Sequence, residues 1–213
     1  MMNRRELGRA ALAAGTVYAL GLPLAVLAAD ETPDALIRRL SVDVLNTVRA
    51  DKAIQAGDID KVIALVDKIV MPNVNFRRMT AAAVGPGWRQ ATPEQQKRLQ
   101  DEFKVLLVRT YAGALAQVSD QTVRIKPMRA AAHDKDVLVR TEIVCKGDPI
   151  QLDYRLEKTP GEGAGWKIYN LNVLGVWLVE TYRSQFAQEI NAKGIDGLID
   201  TLVARNKSNA GKG

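Results

Sequence analysis

One cysteine and one histidine in 213 residues set the first limits on this chain. Cys145 has no second thiol to pair with, so an intramolecular disulfide is excluded. With His133 it cannot complete a zinc site, a Ser-His-Asp triad or a redox pair. Aromatic residues are also scarce, at 5% of the chain, whereas hydrophobic residues reach 47%. A core of ordinary size must therefore be built mainly from Leu, Val, Ile and Ala. Beyond residue 30 no apolar run is long enough to span a bilayer. H-E-x-x-H, G-x-S-x-G, P-loop and dinucleotide signatures are all missing. The glycine-rich stretch Pro160 to Gly165 lacks both the spacing and the following helix that phosphate binding needs, so it reads as a hairpin loop.

What the chain does have begins with a targeting pattern. Arg4, Arg5 and Arg9 precede an apolar stretch, Ala10 to Leu27, interrupted at Pro23 and followed by small residues. This reads as a cleavable signal peptide over 1–29, with cleavage after Ala28 or Ala29. Arg4-Arg5 loosely matches a twin-arginine signal, but basic n-regions contain such pairs by chance, so Sec export is the expectation. Removing the segment takes away three arginines and one glutamate, and the formal net charge falls from +6 to +4. A moderately basic, exported domain points to anionic lipid head groups or acidic protein surfaces, not to nucleic acid.

Helical periodicity dominates the first half. Thr32-Pro33 is a helix start, with a capping hydroxyl before Pro at the first helical position. Leu36, Leu40, Val44 and Val48 then form an apolar stripe. Gly57-Asp58 restarts a second helix that Pro72 ends, and Asn75 to Val84 is a third. Thr92-Pro93-Glu94-Gln95 is a capping box opening the longest helix, Pro93 to Val118. Period two follows, predicting strands at Thr122 to Pro127, Val137 to Cys145, Ile150 to Lys158 and Trp166 to Val173. Cys145 continues the alternation of Val139, Thr141 and Ile143 and is predicted to be a small buried hydrophobe. Gly175 breaks the last strand, and Val179, Tyr182, Phe186 and Ile190 mark a helix that begins at Val176 and stops at Gly194. Ile195 to Leu202 is a closing helix. Helices, then four strands, then helices is an α+β pattern with an antiparallel sheet covered on one face.

Candidate chemistry is thin. Asp153 and Glu157 fall on the polar face of their strand and are predicted to be solvated. Tyr111, Tyr154 and Tyr169 are the inward-facing groups capable of acid–base work, and no carboxylate partners them. Arg77, Arg78, Lys97, Arg98, Arg109, Lys126 and Arg129 could rim a mouth or simply solvate the surface. The larger signal is apolar. Phe103, Leu106, Leu107, Tyr111 and Leu115 on the long helix face Val137, Val139, Ile143, Leu152, Tyr154 and Ile168 on the strands. Val173, Val176, Trp177 and Val179 add the strand-to-helix corner. These fifteen positions are the candidate ligand-binding set. Their patterning is the same for a filled core and for a hollow one.

The order W-K-I-Y-N, G-V, Y-R-S-Q-F and K-G-I-D-G-L between Gly165 and Leu202 resembles the MlaC family of toluene-tolerance-type periplasmic phospholipid-binding proteins. A-T-P-E-Q-Q-K-R-L at Ala91 to Leu99 and L-V-R-T-Y-A-G-A-L at Leu107 to Leu115 are similar to it as well. The likeness runs from about Thr32 to Lys207, implying one domain over 30–207 with a disordered tail at 208–213. It implies a cystatin-like fold with a curved four-stranded antiparallel sheet around a deep pocket for acyl chains. The implied activity is carriage of phospholipid through the periplasm, without catalysis or cofactor, the lipid being cargo. The implied partners are an inner-membrane Mce-type ABC transporter complex and an outer-membrane lipoprotein complex, and the implied outcome is maintained outer-membrane asymmetry. A hopanoid-linked relative, a small acid–base enzyme on the same fold and a purely structural adaptor are the alternatives. Asn170 stands where the family often carries Asp. Leu174 and Trp177 stand where it often carries an acidic residue and Ser, and Trp177 is expected to narrow the pocket.

Overall fold

A computed structural model describes residues 31–129, 131, 133–145 and 147–210. The signal-peptide segment and residues 211–213 lie outside the described residues. Helix α1 spans Pro33–Ala50. Thr32 occupies its N-cap with extended backbone, but its hydroxyl makes no capping bond, so Pro33 and Asp34 in the first turn start the helix without it. Asp51 caps a one-turn helix α2 (Lys52–Gln55), and Asp58 caps α3 (Ile59–Leu65). α3 runs on through a π-helical turn, Val66–Val70, and a 3₁₀ turn, Met71–Asn73. Pro72 therefore sits inside the terminating turn. Asn75 caps α4 (Phe76–Val84) through the Arg78 N–H, and the 3₁₀ turn Gly85–Arg89 follows. The reciprocal Thr92–Gln95 capping box opens α5 (Pro93–Ala116), as the sequence predicts.

The four predicted strands are all present: β1 (Thr122–Ile125), β2 (Asp136–Val144), β3 (Ile150–Lys158) and β4 (Trp166–Val173). A fifth, β5 (Val176–Trp177), extends the sheet, whose order is β1-β2-β3-β4-β5 with every pairing antiparallel. Gly175 thus lies in a hairpin, and the final helix, α6 (Leu178–Ala210), starts two residues later than predicted. α6 is broken at Gly194, where φ 72 and ψ −172 mark the predicted stop. Its second arm reaches Ala210, so residues 208–210 are helical where a tail was expected.

Register assigns the two faces of the sheet. Val137, Val139, Thr141 and Ile143 oppose Leu156, Tyr154, Leu152 and Ile150 on the inner face. Between β3 and β4 the pairing jumps from Leu156↔Ile168 to Arg155↔Asn170, leaving Tyr169 as the extra residue of a bulge. The bulge restores Leu171 and Val173 to the inner face beside Tyr154 and Leu152. Without it the β4 alternation would turn two asparagines inward.

Three packed cores support this frame. Leu36, Ile37 and Leu40 of α1 pack on Val139, Leu156, Trp166 and Ile168. Val48, Ile54, Val62, Leu65, Val108 and Ala112 join α1, α2, α3 and α5. The largest core joins α4, α5 and α6 around Phe103, whose ring lies 5.0 Å from Tyr182, 5.2 Å from Phe186 and 5.7 Å from Phe76. The inner face of the sheet is met chiefly by α1, α4 and α6, while α5 lies mainly against α6, α3, α4 and α2. The expected direct opposition of α5 and the strands is therefore only partial.

Candidate functional site

The inner surface of the sheet is covered less completely than the three cores. Leu107, Tyr111 and Leu115 on α5 stay half-buried, as do Val137, Ile143, Leu152, Tyr154, Leu171 and Val173 on the strands. Leu107, Tyr111, Leu171 and Val173 all border the aromatic core, which brings the α5 stripe and the strand patch to one region. Ile143 and Leu152 belong to none of the three cores. Apolar side chains that point inward and yet keep accessible surface leave part of the inner face open to an apolar partner from outside.

Tyr154 sits within this patch: it packs against the α1 core, is half-buried, and burial pushes its phenol up to about 12. The Thr141 and Ser41 side chains act against that rise. Burial also raises the Tyr111 and Tyr182 phenols, and for Tyr111 the neighbouring Tyr182 adds to the effect. All three are thereby moved away from neutral pH, where a general acid or base would have to work.

Beside this patch, between α5, α6 and β5, lies a cavity of about 310 Å³. Leu106, Tyr111, Leu178 and Tyr182 form its apolar side. Thr110, Thr181, Gln185, Ser208 and Asn209 are polar, and Arg205 is its one charged lining residue. The Arg205 guanidinium donates to Gln185 Oε1 at 3.0 Å. Asn206 secures this arm of α6 by donating to the Glu102 backbone oxygen at 2.9 Å and to its carboxylate at 2.8 Å. A second, more open recess of about 560 Å³ lies elsewhere, bordered by the Arg39–Glu31 and Arg39–Asp43 ion pairs, and contains none of the fifteen candidates.

Of the fifteen, Leu106, Tyr111 and Val176 line the smaller cavity. Leu107, Leu115, Val137, Ile143, Leu152, Tyr154 and Val173 form the half-buried surface just described. Phe103, Val139, Ile168 and Val179 are packed solid, Phe103 and Val139 with no exposure at all, so they brace the site from behind. Trp177 pairs with Asn172 on the outer face, beneath the Arg155 guanidinium, and does not narrow the interior.

The polar expectations change more. Asp153 is buried, not solvated: one carboxylate oxygen accepts from Gln151 at 2.6 Å and the other has no partner. Glu157 is half-buried and holds Arg78 and Asn75. Tyr169 faces Arg78 and Asp136 at the bulge instead of the interior. Arg77 lies over Trp88, Lys97 pairs with Asp101 and Lys126 with Glu142, so these cations are engaged elsewhere. Cys145 is half-buried at the end of β2, its thiol 3.2 Å from the Asp148 carbonyl oxygen. Arg205, absent from the sequence-derived set, lies one turn beyond the expected end of the last helix and reaches the cavity only through the Gly194 break. Among the described residues no group of His, Cys, Asp and Glu could hold a metal ion, and no helix is long and apolar enough to cross a membrane.

A curved antiparallel sheet roofed on one face by helices, with half-buried apolar side chains on its inner face and a cavity whose lining includes one cation, defines a small α+β domain with an accessible apolar surface. The family model described as MlaC protein matches residues 38–204, and the chain belongs to that family. It is 26% identical over 181 residues to the toluene tolerance protein ttg2D of Pseudomonas putida, covering 84% of this chain and 82% of that one. It is 23% identical over 176 residues to the intermembrane phospholipid transport system binding protein MlaC of Haemophilus influenzae, covering 82% of each. A phospholipid-binding protein from Ralstonia solanacearum, solved in complex with a phospholipid, superposes with a TM-score of 0.79 at 48% identity. That match covers 83% of this chain and 98% of the other.

Proposed function

We propose that this protein binds a phospholipid by its acyl chains between sheet and helices and carries it across the periplasm. It takes lipid from one membrane complex and delivers it to another, an outer-membrane lipoprotein complex and an inner-membrane Mce-type ABC transporter, and so helps keep the outer membrane asymmetric. The observation that carries this reading is the run of inward-facing apolar side chains, Leu107, Tyr111, Leu152, Leu171 and Val173, that stay half-buried beside a cavity of about 310 Å³. The solved relative with bound phospholipid supports the same ligand class.

The physical need for such a carrier follows from transfer energies. Each methylene removed from water is worth about 0.8 kcal/mol. Two acyl chains of roughly fourteen methylenes each would thus cost on the order of 20 kcal/mol to expose. An aliphatic interior removes most of that cost without bond making, so the protein works without a catalytic group or cofactor. Mass spectrometry of organic extracts from natively purified protein tests this. Phospholipid near one molecule per chain is expected, and a preparation free of lipid that also takes none from vesicles would end the proposal.

A further inference from the structure

Three of the four most exposed large apolar side chains among the described residues meet at one end of the sheet. Leu174 is 65% exposed, Val176 50% and Ile150 37%. Val173 pairs with Val176 across a two-residue hairpin, which makes Leu174 and Gly175 its tip. The Leu174 N–H donates to the Gln151 carbonyl at 3.0 Å, setting the tip beside Ile150 at the start of β3. The Gly175 N–H donates to Asn172 Oδ1 at 2.8 Å and closes the turn.

The backbone of this tip is at odds with its side chain. Leu174 has φ 51 and Gly175 φ 87. Two-residue turns with positive φ at both positions favour Asn-Gly or Asp-Gly, because a short polar side chain tolerates the left-handed region and Leu does not. Leu174 is the one non-glycine residue with positive φ among the described residues. The side chain least suited to the turn therefore stands at its most solvent-exposed point. Neither folding nor solubility accounts for that choice, whereas a contact outside the chain does.

Size and charge select the contact. Three side chains fall far short of the roughly 20–30 residues a side in a standard protein interface. They suit shallow entry into the boundary between lipid head groups and acyl chains. Val176 belongs both to the exposed tip and to the cavity wall, and that wall carries Arg205 and no carboxylate. Trp177, next in the chain, lies 4.2 Å beneath the Arg155 guanidinium, an amphipathic pairing of the kind favoured at membrane–water boundaries. Asp148, two residues before Ile150 and exposed, keeps the entry shallow.

We infer that the Leu174 tip, with Ile150 and Val176, enters the surface of a lipid bilayer and holds the mouth of the cavity against it while lipid passes. This rests on the carrier reading for its purpose. The test uses the mature chain, unilamellar vesicles of phosphatidylethanolamine and phosphatidylglycerol (3:1) and a fluorescent phospholipid. Leu174→Asn places a favoured residue in the turn, so it should melt at or above the wild-type temperature. Its flotation with vesicles and its uptake of labelled lipid should fall about tenfold or more. Val176→Thr, isosteric and strand-compatible, should show a smaller loss in the same direction. A folded Leu174→Asn variant that floats and takes up lipid like wild type overturns the inference. So does a variant impaired only when a protein partner is supplied. If the wild-type protein takes up no phospholipid, the carrier reading fails, while flotation still reports on the tip by itself.

Discussion

The Arg78 guanidinium carbon lies 3.5 Å from the centre of the Tyr169 ring. The same group pairs with Glu157 and with Asp136, the latter at 3.3 Å. Tyr169 is the bulge residue of β4, so one side chain of α4 is fastened to β2, β3 and β4 at the point where the sheet changes register. Glu157 also accepts from Asn75, the residue that caps α4, at 2.6 Å. The bulge that turns Leu171 and Val173 inward is thus tied to the helix that covers them.

Arg78→Ala should lower unfolding stability by about 1–3 kcal/mol, from loss of the cation–π contact and of partners for two carboxylates. Arg78→Lys should recover only part, because a point charge cannot stack and pair as a planar fork does. Urea titration of the two variants measures both.

Tyr154 has its folded-state value raised above that of an unfolded phenol, from 10.0 to about 12. Its contribution is fully present below about pH 10 and is lost as pH rises from 10 towards 12. The loss should be of order 2–3 kcal/mol. Denaturant unfolding of wild type across pH 9–11.5 should show this decline, and Tyr154→Phe should make it shallower, the raised Tyr111, Tyr169 and Tyr182 phenols supplying the rest. An equally steep decline in the variant would assign the effect to other groups.

Solid core and open surface should answer differently to substitution. Phe103 has no exposure and touches three other rings, so Phe103→Ala should cost about 3–5 kcal/mol. Val139 is equally closed, and Val139→Trp should be destabilised by overpacking. Leu107→Trp, at a half-buried position, should keep its thermal midpoint within a few degrees and lose co-purifying lipid. Calorimetry paired with lipid extraction separates the two behaviours.

A methyl group on Gly197 would lie 2.1 Å from Lys193 Cβ, across the Gly194 break in α6. Gly197→Ala must therefore open the angle between the two arms, at a cost of about 1–3 kcal/mol by analogy with overpacked cores. Since Arg205 sits on the second arm, weaker lipid uptake should accompany the lower melting temperature.

Much of the architecture could be read from local pattern. The Thr92–Gln95 capping box, the Ile150–Lys158 strand and the Gly194 stop each depend on neighbours a few residues away, and each is where periodicity and turn chemistry put it. The β5 hairpin is not legible locally, because Val176 and Trp177 satisfy a helical spacing as well as a strand one. Tyr169 lies off its predicted face because a bulge leaves alternation in the sequence while changing it in space. Asp153 alternates like a solvated residue, but Gln151, Asn172 and the neighbouring strands cover it.

By itself the chain determined the α+β class, the elements and which side chains turn away from water, since propensity, capping and period act over short distances. Only the tertiary structure decided which of those apolar side chains are packed solid and which are left half-covered. It also decided that Arg205, far along α6, borders the cavity beside Tyr111. How closely two layers approach depends on contacts between residues distant in sequence, and an aliphatic stripe reads the same whether its partner touches it or stands off.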